Sequence, residues 1–496
     1  MLRITNKNFY KSLGASIAPS EQNAKGSLTA QTLPKGRRRD ALFLFSALLA
    51  ILALTAAPLH ADDFSEGFGG GFSSDEPAAE SNSSSETQPA AQLEWGGFIS
   101  TTMRSYIDTD DPGDSPVNTY PEVGLDLHYS AKNSEAVANL RFHRNWLYDA
   151  GLEQQASGHQ NVLWYLQQMI DEAYLRLFYD NFNLQAGFLK EVWGTGDQSH
   201  VVDLLNPTDY YDYVNIDYID RKTAEFMFKL NIPFAMNGLV ELAYVPTFTP
   251  DSSPLYGDWA PQSVSQITSI IETDSLTLNQ PDTNTISNGQ AALRVSGTAG
   301  GMDLAGTYYF GYLRQPGLDI TYTGTPPNLV PAKADLSYDR VHVFGLDAAG
   351  VLAGFNLRGE AAYYLTEDYE GDDETRLNNH SVQYVAGFDR NLPVSQLNLN
   401  IQTIGAYFIN EDDDPTRTIV SAALSDSWNN DKIRPEVSAS YGVEEEDWMI
   451  RPEVTFDLVD DVELTAGGAI FLGSSDGRFG QFEDNNYAEV ELTYNF

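Results

Sequence analysis

The chain of 496 residues contains no cysteine. Disulfides, cysteine-ligated zinc and thiol chemistry are therefore excluded. Basic residues are scarce: 29 Lys and Arg stand against 70 Asp and Glu, a formal net charge of −41. Such a surface repels phosphates, so nucleic acid is not expected as a partner. Histidines number only 7 and are scattered. Gly-x-Ser-x-Gly, His-Glu-x-x-His and the phosphate-binding Gly-Lys-Ser/Thr motif are all missing. No enzymatic activity, no cofactor and no dedicated metal site is expected. Long apolar runs are missing too, with one exception near the N-terminus.

That exception is Ala41–Leu59. Arg37, Arg38 and Arg39 precede it, and Leu59-His60-Ala61 followed by Asp62-Asp63 ends it. A positive flank, an apolar core and a small residue before an acidic start read as an export signal, cut near Ala61, with an extended polar region over residues 1–36. The alternative is a single N-terminal membrane helix, for which the run is just long enough. Residues 62–92 are rich in Gly, Ser, Ala and acid, a composition that cannot bury enough apolar surface to order itself. They read as a flexible periplasmic leader, with a small plug as the alternative. No other stretch can cross a membrane as a helix. Any further insertion must use strands in a closed sheet.

From Leu93 the pattern changes to period two. Ala488, Val490, Leu492, Tyr494 and Phe496 share one face, while Glu489, Glu491, Thr493 and Asn495 share the other. Leu125, Leu127 and Tyr129 oppose Asp126 and His128. Leu140 and Phe142 oppose Asn139, Arg141 and His143. Ala224, Phe226, Phe228 and Leu230 oppose Glu225, Met227 and Lys229. Leu397, Leu399 and Ile401 oppose Asn398, Asn400 and Gln402. One face suits lipid and the other suits water. Tyr 27 and Phe 25 are abundant, yet mean hydropathy is only −0.32, too low for a helical membrane protein but not for a barrel, where half of each strand faces water.

The links between these segments alternate in length. Short ones fall at 132–135, 180–183, 233–238, 298–302, 349–354, 391–396, 429–431 and 460–461. Long ones fall near 108–119, 147–162, 194–221, 249–288, 315–336, 367–378, 411–416, 443–447 and 474–486. Short turns at one end and long loops at the other are the rhythm of an outer-membrane barrel. The spacing predicts an all-β, transmembrane, antiparallel up-and-down β-barrel over residues 93–496. It has about eighteen strands, with sixteen left open.

Asp171-Glu172-Ala173-Tyr174, Gly187, Trp193-Gly194 and Asp203-Leu204-Leu205-Asn206-Pro207-Thr208-Asp209 together resemble the N-terminal half of a porin-like family of Gram-negative outer-membrane barrels. Most members of that family have no assigned substrate. The repeated Arg-Pro-Glu-Val, the loop Gly477-Arg478-Phe479-Gly480 and the terminal Phe496 are similar to its C-terminal half. The resemblance implies fold and an integral outer-membrane location. It carries no catalytic residue and no ligand. Tyr494 and Phe496 resemble the signal read by the barrel assembly machinery, an expected partner alongside outer-membrane lipid and lipopolysaccharide.

Three constellations are candidates for function. The loop 194–221, with Trp193 before it, carries Asp197, His200, Asp203, Asp209, Tyr210 and Tyr211, and Ser199–Leu205 has room for one or two helical turns. Aromatics beside carboxylates suit sugar rings, so the loop reads either as an in-folded constriction touching solute or as a loop packed on the wall. Period-two projection points Arg141, His143, Glu172, Arg176, Glu225, Lys229, Arg294 and Arg358 into the lumen, with Glu191, Glu241 and Glu360. Opposed charges there either set a transverse field or neutralise one another across strands. The acidic runs 108–111, 367–374 and 411–414 are candidates for divalent cations or for plain solvated charge. The repeat Ile433–Val437 and Ile450–Val454 reads as lumen-facing Arg and Glu or as a structural charge ladder, with both prolines near strand starts.

Passive diffusion of small polar solutes through an outer-membrane channel is the function these features imply. A conduit for hydrophobic compounds and a non-conducting structural or adhesive barrel are the alternatives.

Overall fold

Segments with alternating apolar and polar residues can bury one face only as extended strands, and this chain strings eighteen of them into one closed sheet. The computed structural model describes residues 3–4, 91–107, 118–143, 169–197, 199–210, 218–234, 237–252, 259–262, 278–279, 281–325, 328–366, 380–409 and 415–496. The barrel strands are β1 (Gln92–Tyr106), β2 (Asn118–Ala131), β3 (Ser134–His143), β4 (Ile170–Tyr179), β5 (Phe182–Leu189) and β6 (Glu225–Phe234). Next come β7 (Gly238–Val245), β8 (Gln290–Ala299), β9 (Met302–Tyr312), β10 (Arg340–Leu352), β11 (Phe355–Thr366) and β12 (Ser381–Asn391). The last six are β13 (Asn398–Phe408), β14 (Thr416–Ser425), β15 (Ile433–Gly442), β16 (Asp447–Val459), β17 (Val462–Leu472) and β18 (Tyr487–Asn495).

Each strand pairs antiparallel with its neighbours in sequence, and β18 returns to β1 with Phe98 opposite Asn495 and Tyr106 opposite Tyr487. Phe496 completes the seam: its N–H donates to the Gly97 carbonyl at 2.9 Å, and the Gly97 N–H donates to its carbonyl at 3.0 Å. Closure leaves no sheet edge, so every strand finds partners on both sides.

Tight turns join the strands at one end. Gly300 (φ 64°) and Gly301 (φ 80°) form one, and Asp461 (φ 67°) helps to form another, matching the twist of the flanking strands. The other end, called the outer end below, carries most of the longer links, but the link expected to be long at 443–447 is only residues 443–446, and the turn-end link 426–432 is longer than the short one expected at 429–431. The link predicted over 315–336 is not irregular. Gly317–Thr325 and Asn328–Ser337 pair as a hairpin, flanked by Leu278–Asn279 and by Arg3–Ile4 in a small sheet apart from the barrel. The export signal (1–61, Arg3–Ile4 apart), the leader up to residue 90, Tyr211 and the acidic runs 108–111, 367–374 and 411–414 lie outside the described residues. So does the side chain of His143.

The outer wall is apolar. Val490, Leu492 and Tyr494 are 45%, 44% and 48% exposed, while Glu489 and Glu491 point inward. Exposed aromatics mark both ends of this belt: Trp95, Tyr179, Phe234, Tyr494 and Phe496 at the turn end, and Phe142, Tyr244, Tyr407 and Trp448 at the outer end. Trp95 and Phe496 lie 6.1 Å apart across the seam.

One sequence expectation needs correction. Pro435 is at a strand start, but Pro452 lies in the middle of β16. The β16–β17 ladder pairs Ile450 with Ile470 and Glu453 with Gly467, and skips Arg451 and Pro452 between them. Proline has no N–H to donate, so the ladder carries a gap there while keeping register on both sides. Register also does not set the Arg of one repeat opposite the Glu of the other, although Arg451 reaches Glu453 of its own repeat at 3.9 Å. Antiparallel register sets Glu436 opposite Glu453, and Arg434 instead bridges Asp457 at 2.8 Å and Glu463 at 2.7 Å.

The two faces of β18 should respond differently to substitution. Val490→Arg, on the outer face, is expected to cost about 2–4 kcal/mol in lipid, as a cation does near a bilayer midplane. Glu491→Gln, one residue away on the inner face, should cost less than about 1 kcal/mol because its hydrogen bonds survive. Denaturant unfolding in vesicles measures both; equal costs would contradict the facing.

Candidate functional site

The interior is organised by the link 190–224, which leaves the outer end of β5 and folds into the barrel. Its neck is tied by Asn206. The Asn206 amide donates to the Leu189 carbonyl at 2.6 Å and to the Thr223 carbonyl at 3.0 Å, and its oxygen accepts from the Glu191 N–H at 2.8 Å. From there the chain reaches strands far around the sheet.

Its principal anchor is Glu360 on β11, whose side chain is fully buried (0%). The N–H groups of Thr195 and Gly196 donate to Glu360 Oε1 at 2.7 Å each, and the Val201 N–H donates to Oε2 at 2.7 Å. His200 Nδ1 lies 2.9 Å from Oε1. This wrapping requires a residue without Cβ at Gly194. Its φ is +114°, and an added Cβ would meet Glu360 Oε1 at 2.3 Å. The expected helical turn over Ser199–Leu205 does not form. The Val201 N–H bonds across to the wall and not along its own segment.

Farther still, the Asp197 N–H donates to Gln402 Oε1 at 2.9 Å, and Asn400 Nδ2 donates to Asp197 at 2.7 Å. Both partners sit on β13, eight strands from β5 in a sheet of eighteen. Asp197 also pairs with Arg358, which in turn pairs with Asp389. The link therefore runs from one side of the barrel nearly to the opposite side. A shallow, solvent-open recess lies beside its far tip, bordered by Asp197, Asn400, Gln402 and Ser421.

Beneath the link lies an apolar core inside the barrel. Trp193, Val201, Val202 and Leu205 pack against inward-facing Met227, Val245, Tyr309, Val343, Tyr364 and Val385. Trp193 is 3% exposed. It cannot stack on a passing sugar ring, because the wall covers it. His200 and Asp203 are equally enclosed. Asp203 accepts from Tyr218 Oη at 2.8 Å and pairs with Lys222. Burial lowers the Lys222 ammonium pKa, with Asp203 opposing, and burial first, then Asp203, raises the Tyr218 phenol well above its ordinary range. Asp209 accepts from Ser252 Oγ at 2.9 Å, and the Tyr210 N–H donates to the Ser252 carbonyl at 2.8 Å, joining this link to the next one, 246–289.

The inward-facing charges sort into two groups. Glu225, Lys229 and Arg294 are covered by the link and fully paired. Lys229 bridges Glu191 at 2.6 Å and Glu241 at 2.8 Å, and Arg294 holds Asp347 with two bonds of 2.8 and 2.9 Å. Glu225 meets Thr249 at 2.9 Å and Arg314 at 3.4 Å. The second group lies mostly on the opposite arc and is partly exposed. Arg141 pairs with Asp126 at 2.6 Å, Arg176 with Glu135 at 2.9 Å, and Arg104 with Glu489 at 2.8 Å. Arg358, 22% exposed, belongs with it. Glu172 accepts from the Lys190 N–H at 2.9 Å, where β4 meets the start of the link. Sequence reasoning placed most of these strand residues on one face, though not Arg104, Glu135 or Asp347, and it could not divide them. It also missed Arg314, which donates to the carbonyls of Leu204 at 3.1 Å and Leu205 at 2.7 Å, because Arg314 lies in a link without periodicity.

The motif Gly477-Arg478-Phe479-Gly480 also finds its place here. Asp447 at the start of β16 accepts from the N–H groups of Phe479 at 2.5 Å and Gly480 at 3.0 Å. A Cβ at Gly477 would lie 2.4 Å from that carboxylate. Phe479 and Phe482 thereby pack inward on Met449, Phe471 and Tyr487.

Fold and interior together define a closed β-barrel whose lumen is narrowed from within. No protein-family model matches the chain, and no curated protein matches it. Among solved structures it is similar to Acinetobacter baumannii OccAB4, at 12% identity and a TM-score of 0.43, over 82% of this chain and 98% of that one. It is similar to Pseudomonas aeruginosa OccK9 (OpdG), at 9% identity and a TM-score of 0.44, over 82% and 97%. A mutant of the Rh. blastica porin matches at 8% identity and a TM-score of 0.35, over 82% and 100%.

Glu360→Ala should release the link. It removes the acceptor for three backbone N–H groups, each costing about 1–3 kcal/mol when left buried and unmade. The expected result is protease cleavage within 190–224 in a barrel whose circular dichroism is unchanged. Wild-type resistance retained by the variant would refute the anchor.

Proposed function

We propose that this protein is an outer-membrane channel for passive diffusion of small polar solutes. One observation carries the reading: the in-folded link covers one arc of the inner wall and leaves the other arc lined with partly exposed ion pairs. A barrel of eighteen strands is wide enough for an aqueous lumen. Its apolar outer wall with aromatic borders suits hydrocarbon between two interfaces. Screening would come from the bore at the tip of the link and from the charge around it. Asp197 and Arg358 line that point, and Arg141, Arg176 and Arg104 with their carboxylate partners line the facing arc.

Carboxylates outnumber guanidinium groups on that arc. Asp126, Glu135, Glu453, Glu489 and Glu491 face Arg104, Arg141, Arg176 and Arg451, so cations are favoured over anions. The apolar side chains inside are packed away, one set beneath the link and the other, Met449, Phe471, Phe479, Phe482 and Tyr487, against one another, so they offer no greasy path. This weighs against the hydrophobic conduit. Insertion would follow reading of the exposed Tyr494 and Phe496 by the assembly machinery after export.

Single-channel recording of the refolded barrel in planar bilayers tests the reading. Steady openings with cation preference are expected, and Glu489→Gln with Glu491→Gln should lower that preference. A silent barrel, folded by heat-modifiable gel migration, would end the channel proposal in favour of a structural role.

A further inference from the structure

The outer wall carries a local concentration of positive and imidazole side chains where β9 to β12 reach the outer end. Asp347, Glu360 and Asp389 point inward on these strands, which fixes the alternate positions as outward. Those outward positions hold no Asp and no Glu. Apart from Arg390 at the turn end they are apolar, aromatic or small until Arg340 and His342 on β10. The flanking strands β8 and β13 have no charged residue on this face. His380, just before β12, joins the group. The pairing of Tyr364 with Ser381 sets His380 beside Leu365, and Leu365 pairs with His342.

These side chains are held in place. The Arg340 guanidinium lies 4.0 Å from the Tyr312 ring and 4.9 Å from the Phe310 ring. It donates to the Gly289 carbonyl at 3.0 Å and to the Ser287 carbonyl at 2.9 Å, two of the five N–H groups it owns. The Phe310 ring in turn lies 4.8 Å from the His342 ring. His342 Nδ1 is 2.9 Å from Tyr308 Oη, and His380 Nδ1 is 3.4 Å from Tyr363 Oη. A hydroxyl that donates to Nδ1 leaves the ring proton on Nε2, at the far side of the imidazole.

Depth in the membrane follows from register. Phe344, Tyr363, Val382 and Tyr407 form one row across the sheet, and Tyr407 belongs to the aromatic border. His342 and His380 stand one outward position beyond that row, at the level of the headgroups. A cation on this face is costly at the bilayer midplane and tolerated near the interface. In a chain of net charge −41, a basic cluster without acid beside it on the lipid-facing wall marks an anionic partner.

We infer that Arg340, His342 and His380 form a binding site for the phosphate of a lipid headgroup in the leaflet at the outer end. The guanidinium gives a charge-assisted bond and the imidazoles give Nε2–H donors. The acyl chains lie along Phe344 and Leu346, which are 51% and 68% exposed directly below. That apolar wall is what selects a lipid over a free anion. The inference rests on the outer-membrane placement and not on conduction, so a silent barrel leaves it standing.

Native mass spectrometry of the full refolded chain in detergent, with lipid A added as a phosphorylated glycolipid, tests the site. A bound copy is expected. Arg340→Gln with His342→Phe and His380→Phe should weaken binding about tenfold or more, since charge-assisted bonds are lost while the rings remain. Heat-modifiable gel migration verifies that the barrel has closed. Where the triple variant does not close, Arg340→Gln alone decides, with a severalfold loss expected. Arg390→Gln, at the turn end, should bind like wild type. Lipid A stripped of its phosphates should bind severalfold more weakly, and excess inorganic phosphate should leave the complex intact. No binding by wild type, undiminished binding by the variants, an equal loss in Arg390→Gln, equal binding of the stripped lipid, or release by inorganic phosphate each overturns the site.

Discussion

Closure of the sheet is the constraint on which everything else depends. With β18 hydrogen-bonded to β1, strand N–H and C=O groups are met within the barrel wall, apart from local gaps such as the one at Pro452. Only a wall of that kind can face hydrocarbon without water to satisfy its backbone. Closure also fixes an inside and an outside, and alternation along each strand then assigns every side chain to one of them.

The inside is where the chain departs from a simple tube. An eighteen-stranded ring leaves more space than inward side chains can fill, and the link 190–224 occupies part of it. It is held by buried charge as well as by its apolar core. Glu360 alone gathers three backbone donors and His200, and Arg314 caps two carbonyls on the same link. Once covered, ion pairs such as Arg294–Asp347 lose their water and must be fully matched, because an unpaired buried charge is strongly destabilising. On the uncovered arc the same kinds of pairs remain hydrated and available to ions.

Most of the wall was legible from residues alone. Leu125 against Asp126, Leu140 against Arg141 and Val490 against Glu491 each announce a two-sided strand, and the alternation of link lengths gives the strand count. The reading failed where a local rule met a nonlocal one. Pro452 looked like a strand start because proline usually avoids mid-strand, yet its missing donor is absorbed as a gap facing β17. For Trp193, His200 and Asp203, residues alone left two readings open, a loop touching solute and a loop packed on the wall, because aromatics and carboxylates cluster in sequence in either case. Their burial depends on Val343, Glu360 and Tyr364, more than a hundred residues away.

Sequence alone determined the period of the strands, the polarity of each face and the lengths of the links, because these follow from the alternation of neighbouring residues. Tertiary structure decided which inward charges are covered and which stay wet, and where the links 190–224 and 246–289 anchor. Those outcomes turn on which strands stand opposite one another after closure, a relation no local pattern encodes.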